Sequence, residues 1–281
     1  VRDIEDGEIL IKNLFLSFDP TQRGWLNDVP SYIPPVKIGE IMRASSVGRV
    51  IESKNENFSI DDIVQGSFGW QEYAISGDEK GFMPPRKLPE GITPTSALSI
   101  YGVTGLTAYF GMIDIGKPEK NNTVLISGAA GATGSVAGQI ARIKGATNVI
   151  GIAGGSDKCK WVVEEAGFDS CIDYKNEDVA KRVTELAPKG LDIYFDNVGG
   201  SILEIALGNI AQKARVVMCG GISSGYTMER LAPGPSTVFN LIIQRGRMEG
   251  FIVLDYAEQF PHAIMAVSYT HLRAHETIQD L

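Results

Sequence analysis

The segment "VLISGAAGATGSVAGQIARIKGA" (Val124–Ala146) leaves few folds open to this chain. An apolar run over Val124–Ser127 reads as a buried strand. It passes through Gly128, Gly131 and Gly134 into a helix expected from Ser135, whose Val136, Ile140 and Ile143 recur on one face at helical spacing. Small residues are needed there for three reasons: the chain must turn tightly, let a pyrophosphate approach the backbone, and let helix and strand pack closely. The N–H groups at the helix start then face the anion. The spacing is GxxGxxG rather than GxGxxG, so the strand–turn–helix context carries the assignment more than the pattern does.

The surrounding texture agrees. Up to about Pro89, short apolar runs (Ile9–Ile11, Val47–Ile51, Tyr73–Ile75) are separated by Gly, Pro and Asp turns, as in a β-rich unit. From about Thr93, strands alternate with helices. The strands are expected at Val124–Ser127, Val149–Ala153, Cys171–Asp173, Leu191–Asp196, Arg215–Gly220 and Glu249–Val253, with a last helix opening at Ala257. That alternation predicts an α/β, doubly wound parallel sheet. The expected domains are residues 1–92, β-rich; 93–266, nucleotide-binding; and a tail over 267–281.

Composition narrows the function class. The chain has 281 residues, 26 Lys plus Arg against 34 Asp plus Glu, and a net charge of -8, which argues against a nucleic-acid surface. No apolar run reaches membrane-spanning length. Three cysteines without CxxC spacing point to a reducing compartment, and a cytoplasmic location is expected. The first residue is Val and the opening is acidic, so a truncated N-terminus and no signal peptide are expected. The tail "VSYTHLRAHETIQDL" resembles a translated cloning scar and is set aside. Its His271 and His275 have i, i+4 spacing, but no Cys or carboxylate cluster joins them, so no metal site is expected.

Two near-motifs fail on context. Gly111–Pro118 nearly spells a phosphate loop, but Pro118 replaces the hydroxyl that loop needs and no strand precedes it. Gly221–Gly225 spells GxSxG, yet no convincing helix follows it. No Tyr is followed four residues later by Lys, the pair that short-chain dehydrogenases use.

The end of the second strand bears on the cofactor. An acid there would accept hydrogen bonds from both ribose hydroxyls and favour NAD. This chain has Ala153, Gly154 and Gly155 instead, followed by Ser156, Asp157 and Lys158. The small residues leave room for a 2′-phosphate, and Ser156 and Lys158 offer it a hydroxyl and a cation. Asp157 is expected to complement the helix dipole from solvent.

The glycine loop, "YGVTGLTAYFG", "AGGSDKCKW", "FDNVGG" and "RMEGFIVLDY", with "SFDPTQRGW" and "DDIVQGSFGWQEYAI", together resemble the medium-chain dehydrogenase/reductase superfamily. The nearest branch is the zinc-free one holding prostaglandin reductases, leukotriene dehydrogenase, alkenal double-bond reductases and curcumin reductase. The resemblance runs from Gly7 to about Ile264. It implies a GroES-like catalytic domain, incomplete at both ends of the chain, joined to a Rossmann domain that binds NADPH, often in a homodimer.

The resemblance also implies roles for particular residues. Gly131, Ala132, Thr133, Gly134 and Val136 would line the pyrophosphate. Gly155, Ser156 and Lys158, with Tyr174 added by the family, would hold the 2′-phosphate. Thr104 and Asn197 would lie near the nicotinamide end, bordered by Cys219, Ile222, Phe251 and Val253. Tyr226 would donate a hydrogen bond near the reacting carbonyl. Thr21 stands where relatives carry a Tyr, and with the scar-like tail in the place of the family's closing cofactor-binding segment, a fragment is expected.

Zinc-freedom has independent support. Catalytic zinc in the alcohol-dehydrogenase cousins takes Cys and His ligands from the N-terminal domain, and no Cys or His precedes Cys159. The implied activity is NADPH-dependent reduction of the C=C bond of an enone or alkenal. Quinone reduction and dinucleotide binding without turnover are the alternatives.

Overall fold

A computed structural model describes residues 2–77, 83–225 and 234–267. The chain forms two compact units, Val1–Val103 and Thr104–Leu281.

In the first unit, β1 (Glu8–Leu16), β2 (Ser46–Ser53), β3 (Ile63–Gly66), β4 (Tyr73–Gly77) and β5 (Arg86–Lys87) form an antiparallel sheet in the order β4-β1-β2-β3-β5. Alternation puts Ile9, Ile11, Val50 and Val64 on one face with Phe58, Phe68 and Ala74, and these close a small core. Gly48 lets β1 and β2 approach, since a Cβ there would fall 2.3 Å from Ile11 Cγ2. A single turn, α1 (Thr21–Gly24), leaves the sheet after β1, and α2 (Pro94–Leu98) ends the unit. Thr93 caps α2 through its hydroxyl, which accepts from Ser96 N–H at 3.2 Å, and Pro94 occupies the first helical position.

The second unit opens with α3 (Val103–Phe110), which runs into a wider π-type turn over Gly111–Gly116. Then β6 (Thr123–Ser127), α4 (Ala132–Ile143), β7 (Asn148–Ala153), α5 (Ser156–Glu164), β8 (Ser170–Asp173), α6 (Val179–Leu186), β9 (Leu191–Asp196), α7 (Gly200–Gly208), β10 (Ile210–Met218), α8 (Asn240–Gln244) and β11 (Arg247–Gly250) alternate. All six strands are parallel, in the order β11-β10-β9-β6-β7-β8. The chain therefore winds outward from β6 twice, in opposite directions, and the reversal lies between β6 and β9.

Both faces of this sheet are covered. Val124 and Ile126 face one core with Ala137, Ile140, Val149 and Phe195, while Leu125 faces the other with Ile150, Ile172, Tyr194 and Val216. Each such fully buried aliphatic side chain stabilises the fold by about 1.5–3 kcal/mol. This burial explains the near-continuous apolar strands of the sequence.

Three expectations need correcting. Helix α4 starts at Ala132, and its buried face is Gly134, Ser135, Ala137, Gly138, Ile140 and Ala141, whereas Ile143 is 43% exposed. The last strand is Arg247–Gly250, because β10 ends at Met218 and offers no partner beyond Gly250. Phe251 precedes and Val253 opens a 3₁₀ segment that gives way to α-helix over 260–267. Among the described residues no helix is long and apolar enough to cross a membrane.

Candidate cofactor site

The carboxyl ends of the parallel strands gather most of the residues singled out from the sequence. After β6, Gly128 takes φ +62°, a conformation that costs a side-chain-bearing residue more than glycine. Gly131 N–H donates to Gly128 O at 2.9 Å and closes the turn. A Cβ on Gly134 would fall 2.3 Å from Gly128 O, so this glycine serves helix-to-strand packing. Gly131 is the N-cap of α4 and supplies no side-chain cap. The first-turn N–H groups, Ala132, Thr133 and Gly134, lie beyond the reach of the helix's own carbonyls. Among the described residues they donate to no backbone oxygen of the preceding loop, and Gly131 and Ala132 are exposed. This is the geometry of a diphosphate cradle. Val136 is half-buried and packs on the core behind it.

At the reversal point one carboxylate organises the loops. Asp196 is fully buried, and its Oδ1 accepts from Ser127 Oγ (3.0 Å), Tyr194 Oη (2.7 Å), Val198 N–H (2.9 Å) and Gly199 N–H (2.8 Å). Its backbone oxygen accepts from Cys219 and Gly220 N–H, both at 2.9 Å. Asn197 is fixed twice on Ser127: its N–H reaches Oγ at 2.9 Å and its Nδ2 reaches the backbone oxygen at 2.7 Å. Ile222 N–H and Ser223 N–H donate to Asn197 O and Val198 O. Asn197, Cys219 and Ile222 thus share one linked rim over β6, β9 and β10. Burial, reinforced by Asp196, pushes the Cys219 thiol up to about 12 and holds the Tyr194 phenol well above its usual value. Asp196, Ser127 and Tyr194 were not singled out from sequence. Ser127 and Asp196 lie 69 positions apart, and only "FDNVGG" hinted at them.

The ends of β7 and β8 form the second half. Gly155, at φ +103° with open space around it, caps α5. Ser156, Asp157 and Lys158 are exposed on the first turn, and Lys158 forms no ion pair with the described residues. Tyr174, 50% exposed, lies over Gly154, where a Cβ would meet its ring atoms at 2.7–2.8 Å. Gly154 is therefore required by the tyrosine as much as by any ligand. Asp173 accepts from Gly155 N–H at 2.8 Å and from Asn176 Nδ2 at 2.7 Å, and those bonds hold its carboxyl below the usual range.

The remaining candidates are more dispersed. Thr104 is half-buried on α3. Phe251 packs against Gly111, where a Cβ would meet its ring at 2.9 Å, and edge-on to Tyr256. Val253 is buried. Both contribute chiefly to packing. Tyr226 lies outside the described residues, as do His271 and His275. In the first unit, Thr21 Oγ1 lies 2.7 Å from the Tyr32 hydroxyl, which also accepts from Trp25 Nε1 at 2.8 Å. A phenol from Tyr32 thus lies beside the position where a tyrosine is expected.

Two family models match: an N-terminal domain of oxidoreductase over residues 1–84 and a zinc-binding dehydrogenase over 132–268. The second description does not fit this donor set for zinc. No Cys or His precedes Cys159, and among the described residues no group of three or more His, Cys, Asp or Glu could hold a metal. The NADPH-dependent curcumin reductase of Escherichia coli is 38% identical over 264 residues, covering 92% of this chain and 74% of its own. Prostaglandin reductase 1 of Bos taurus is 38% identical over 251 residues, covering 89% and 73%. CurA of Vibrio vulnificus, solved in complex with NADPH, superposes with a TM-score of 0.87 at 37% identity, covering 98% of this chain and 82% of that one. By sequence, by strand order and by its donor set, the chain belongs to the zinc-independent branch of the medium-chain dehydrogenase/reductase superfamily.

Proposed function

We propose that the chain is an NADPH-dependent oxidoreductase that saturates the C=C bond of α,β-unsaturated ketones and aldehydes. The observation that carries the cofactor assignment is the end of β7, where no acid stands in the strand itself, beside Lys158, which forms no ion pair with the described residues, and the uncapped first turn of α4. A carboxylate at contact distance from a 2′-phosphate would cost on the order of a few kcal/mol at an effective dielectric near 20. No acid belongs to the end of β7 itself: Asp157 is exposed on the first turn of α5, and the Asp173 carboxyl is engaged by the Gly155 and Lys175 N–H groups. The relatives named as a curcumin reductase and a prostaglandin reductase, and the CurA–NADPH complex, support the same cofactor and reaction type.

The N–H groups of Ala132, Thr133 and Gly134 would hold the diphosphate, and Ser156, Lys158 and Tyr174 the 2′-phosphate. Asn197, Cys219 and Ile222 would border the nicotinamide end, with Thr104, Phe251 and Val253 behind them. When bound, NADPH supplies a hydride for the substrate β-carbon. Charge then develops on the substrate carbonyl oxygen as an enolate, and with no zinc to take it, a hydrogen-bond donor must. Tyr226 is the residue proposed for that donation. A homodimer is proposed as the working form. The exposed edge strand β11, flanked by exposed Val238, Phe239, Ile242 and Ile243, supports it.

The test is NADPH oxidation with a panel of enones, alkenals, quinones and saturated ketones, with products identified by mass. Products saturated between the α- and β-carbons are expected. Turnover of quinones alone, or products reduced only at the carbonyl, would overturn the assignment. Lys158→Ala is expected to raise the KM for NADPH strongly and leave that for NADH nearly unchanged, whereas equal effects would remove Lys158 from the phosphate site. Losing a lone oxyanion donor costs ~10²–10³ in rate. Tyr226→Phe is expected to lower kcat by less, because a ribose hydroxyl of the cofactor shares the role. An unchanged kcat would remove Tyr226 from it.

A further inference from the structure

Cys159 and Cys171 lie on different elements, in the first half of α5 and on the edge strand β8, yet their sulfurs are 3.0 Å apart. Both are free thiols and both are only partly buried. Cys171 donates its S–H to Cys159 Sγ. The third cysteine, Cys219, follows β10 in the other half of the sheet. A disulfide has its sulfurs about 2.05 Å apart, so closure needs about 1 Å of approach.

We propose that Cys159 and Cys171 are a thiol–disulfide modification site, closed by hydroperoxides and reopened by dithiols, whose closure weakens NADPH binding. In the closing reaction the Cys159 sulfur attacks a peroxide oxygen and the O–O bond breaks, leaving a sulfenic acid and releasing the other oxygen as water. The Cys171 sulfur then attacks the Cys159 sulfur, expels hydroxide and gives up its proton, so that a second water leaves. Two thiols and one hydrogen peroxide become one disulfide and two waters; the sulfur pair loses the two electrons that the peroxide gains. Cys171, whose S–H already points at the Cys159 sulfur from 3.0 Å, is the thiol placed to resolve it. In reducing compartments such pairs form transiently and act as sensors.

The effect on binding rests on the reading of Ser156 and Lys158 as the 2′-phosphate site. Cys159 N–H donates to Gly155 O at 3.1 Å, and Asp173, two residues after Cys171, accepts Gly155 N–H. Drawing the sulfurs together therefore pulls on both anchors of that loop.

The experiment treats the purified chain with hydrogen peroxide, digests it without reduction and titrates NADPH by fluorescence. Trypsin cleaves after Lys160, so closure joins two peptides that otherwise separate. The expected result is that linked pair with Cys219 still reduced, and NADPH binding weaker by about tenfold, as loss of one hydrogen bond to a charged group produces. Dithiothreitol should restore it, and Cys171→Ser, with Cys159→Ser as the second variant, should keep full affinity after peroxide. A Cys159 that proceeds to the sulfonic acid, disulfides only between chains, or a linked pair with unchanged affinity would each overturn the proposal. Failure of the phosphate reading shows separately, as a Lys158→Ala variant in reduced protein that loses no preference for NADPH.

Discussion

Asp196 is the residue on which the rim of the site depends, because four donors converge on a single oxygen in a place water does not reach. Asp196→Ala leaves those donors buried and unpaired. The expected loss is on the order of 3 kcal/mol or more, read from urea unfolding, and Asp196→Asn, which keeps an acceptor, costs less. Its neighbour Cys219 makes the alkaline limit informative. An unfolded thiol titrates near 9, whereas the folded one titrates at about 12, so the folded state holds the proton across that window. Stability from this group is complete below pH 9 and declines as pH rises toward 12. Cys219→Ala should flatten the decline in unfolding curves taken below and within the window. At this scale, charge and size were legible in the sequence: Lys158 and the missing acid after Ile152 could be read directly. The Asp196 network could not, because its partners meet only once β6 and β9 pair.

The elements were legible wherever burial gave continuous apolar runs, as in β6, β7 and β9. Helix α4 was read in part, for a physical reason. Spacing of large apolar residues found Ile140 on the buried face and Val136 at its margin but overreached at Ile143, and it missed that a helix lying close on a sheet also buries its small residues Gly134, Ser135, Ala137, Gly138 and Ala141. Gly138 makes room for the loop before β8: a Cβ there would fall 2.0 Å from the Phe168 ring. Gly138→Ala is expected to destabilise the chain by about 1–3 kcal/mol through overpacking, measured by denaturant midpoint. Gly134→Ala presses on backbone rather than on a ring and should also loosen the diphosphate cradle, seen as weaker NADPH binding. The displaced last strand has a different cause. Strand length is set by the partner, and a single sequence does not show where β10 stops.

For the whole molecule, a β-rich texture up to about Pro89 and a strand–helix alternation from about Thr93 were readable from turn spacing, whereas the compact units divide between Val103 and Thr104, and connection rules narrow the strand order without fixing it. Association is a different matter, since one chain does not display its partner. Exposed Ile242 and Ile243, 69% and 52% accessible, lie beside a sheet edge whose four residues are all exposed. Sedimentation is expected to give a dimer, and Ile242→Lys to shift it toward monomer with NADPH affinity retained. A wild-type monomer at micromolar concentration would remove the dimer from the proposed working form.

The contact between Gly154 and Tyr174 sets a limit on how cofactor preference can change. Installing an acid at position 154 to welcome NADH would drive its Cβ into ring atoms 2.7 Å away. The tyrosine would have to leave first, or a smaller residue replace it. Preference for one dinucleotide over the other, when changed at position 154, is thus a property of two positions at once. Gly154→Asp alone should give a chain poorer with both cofactors, and only Gly154→Asp with Tyr174→Ala should gain on NADH.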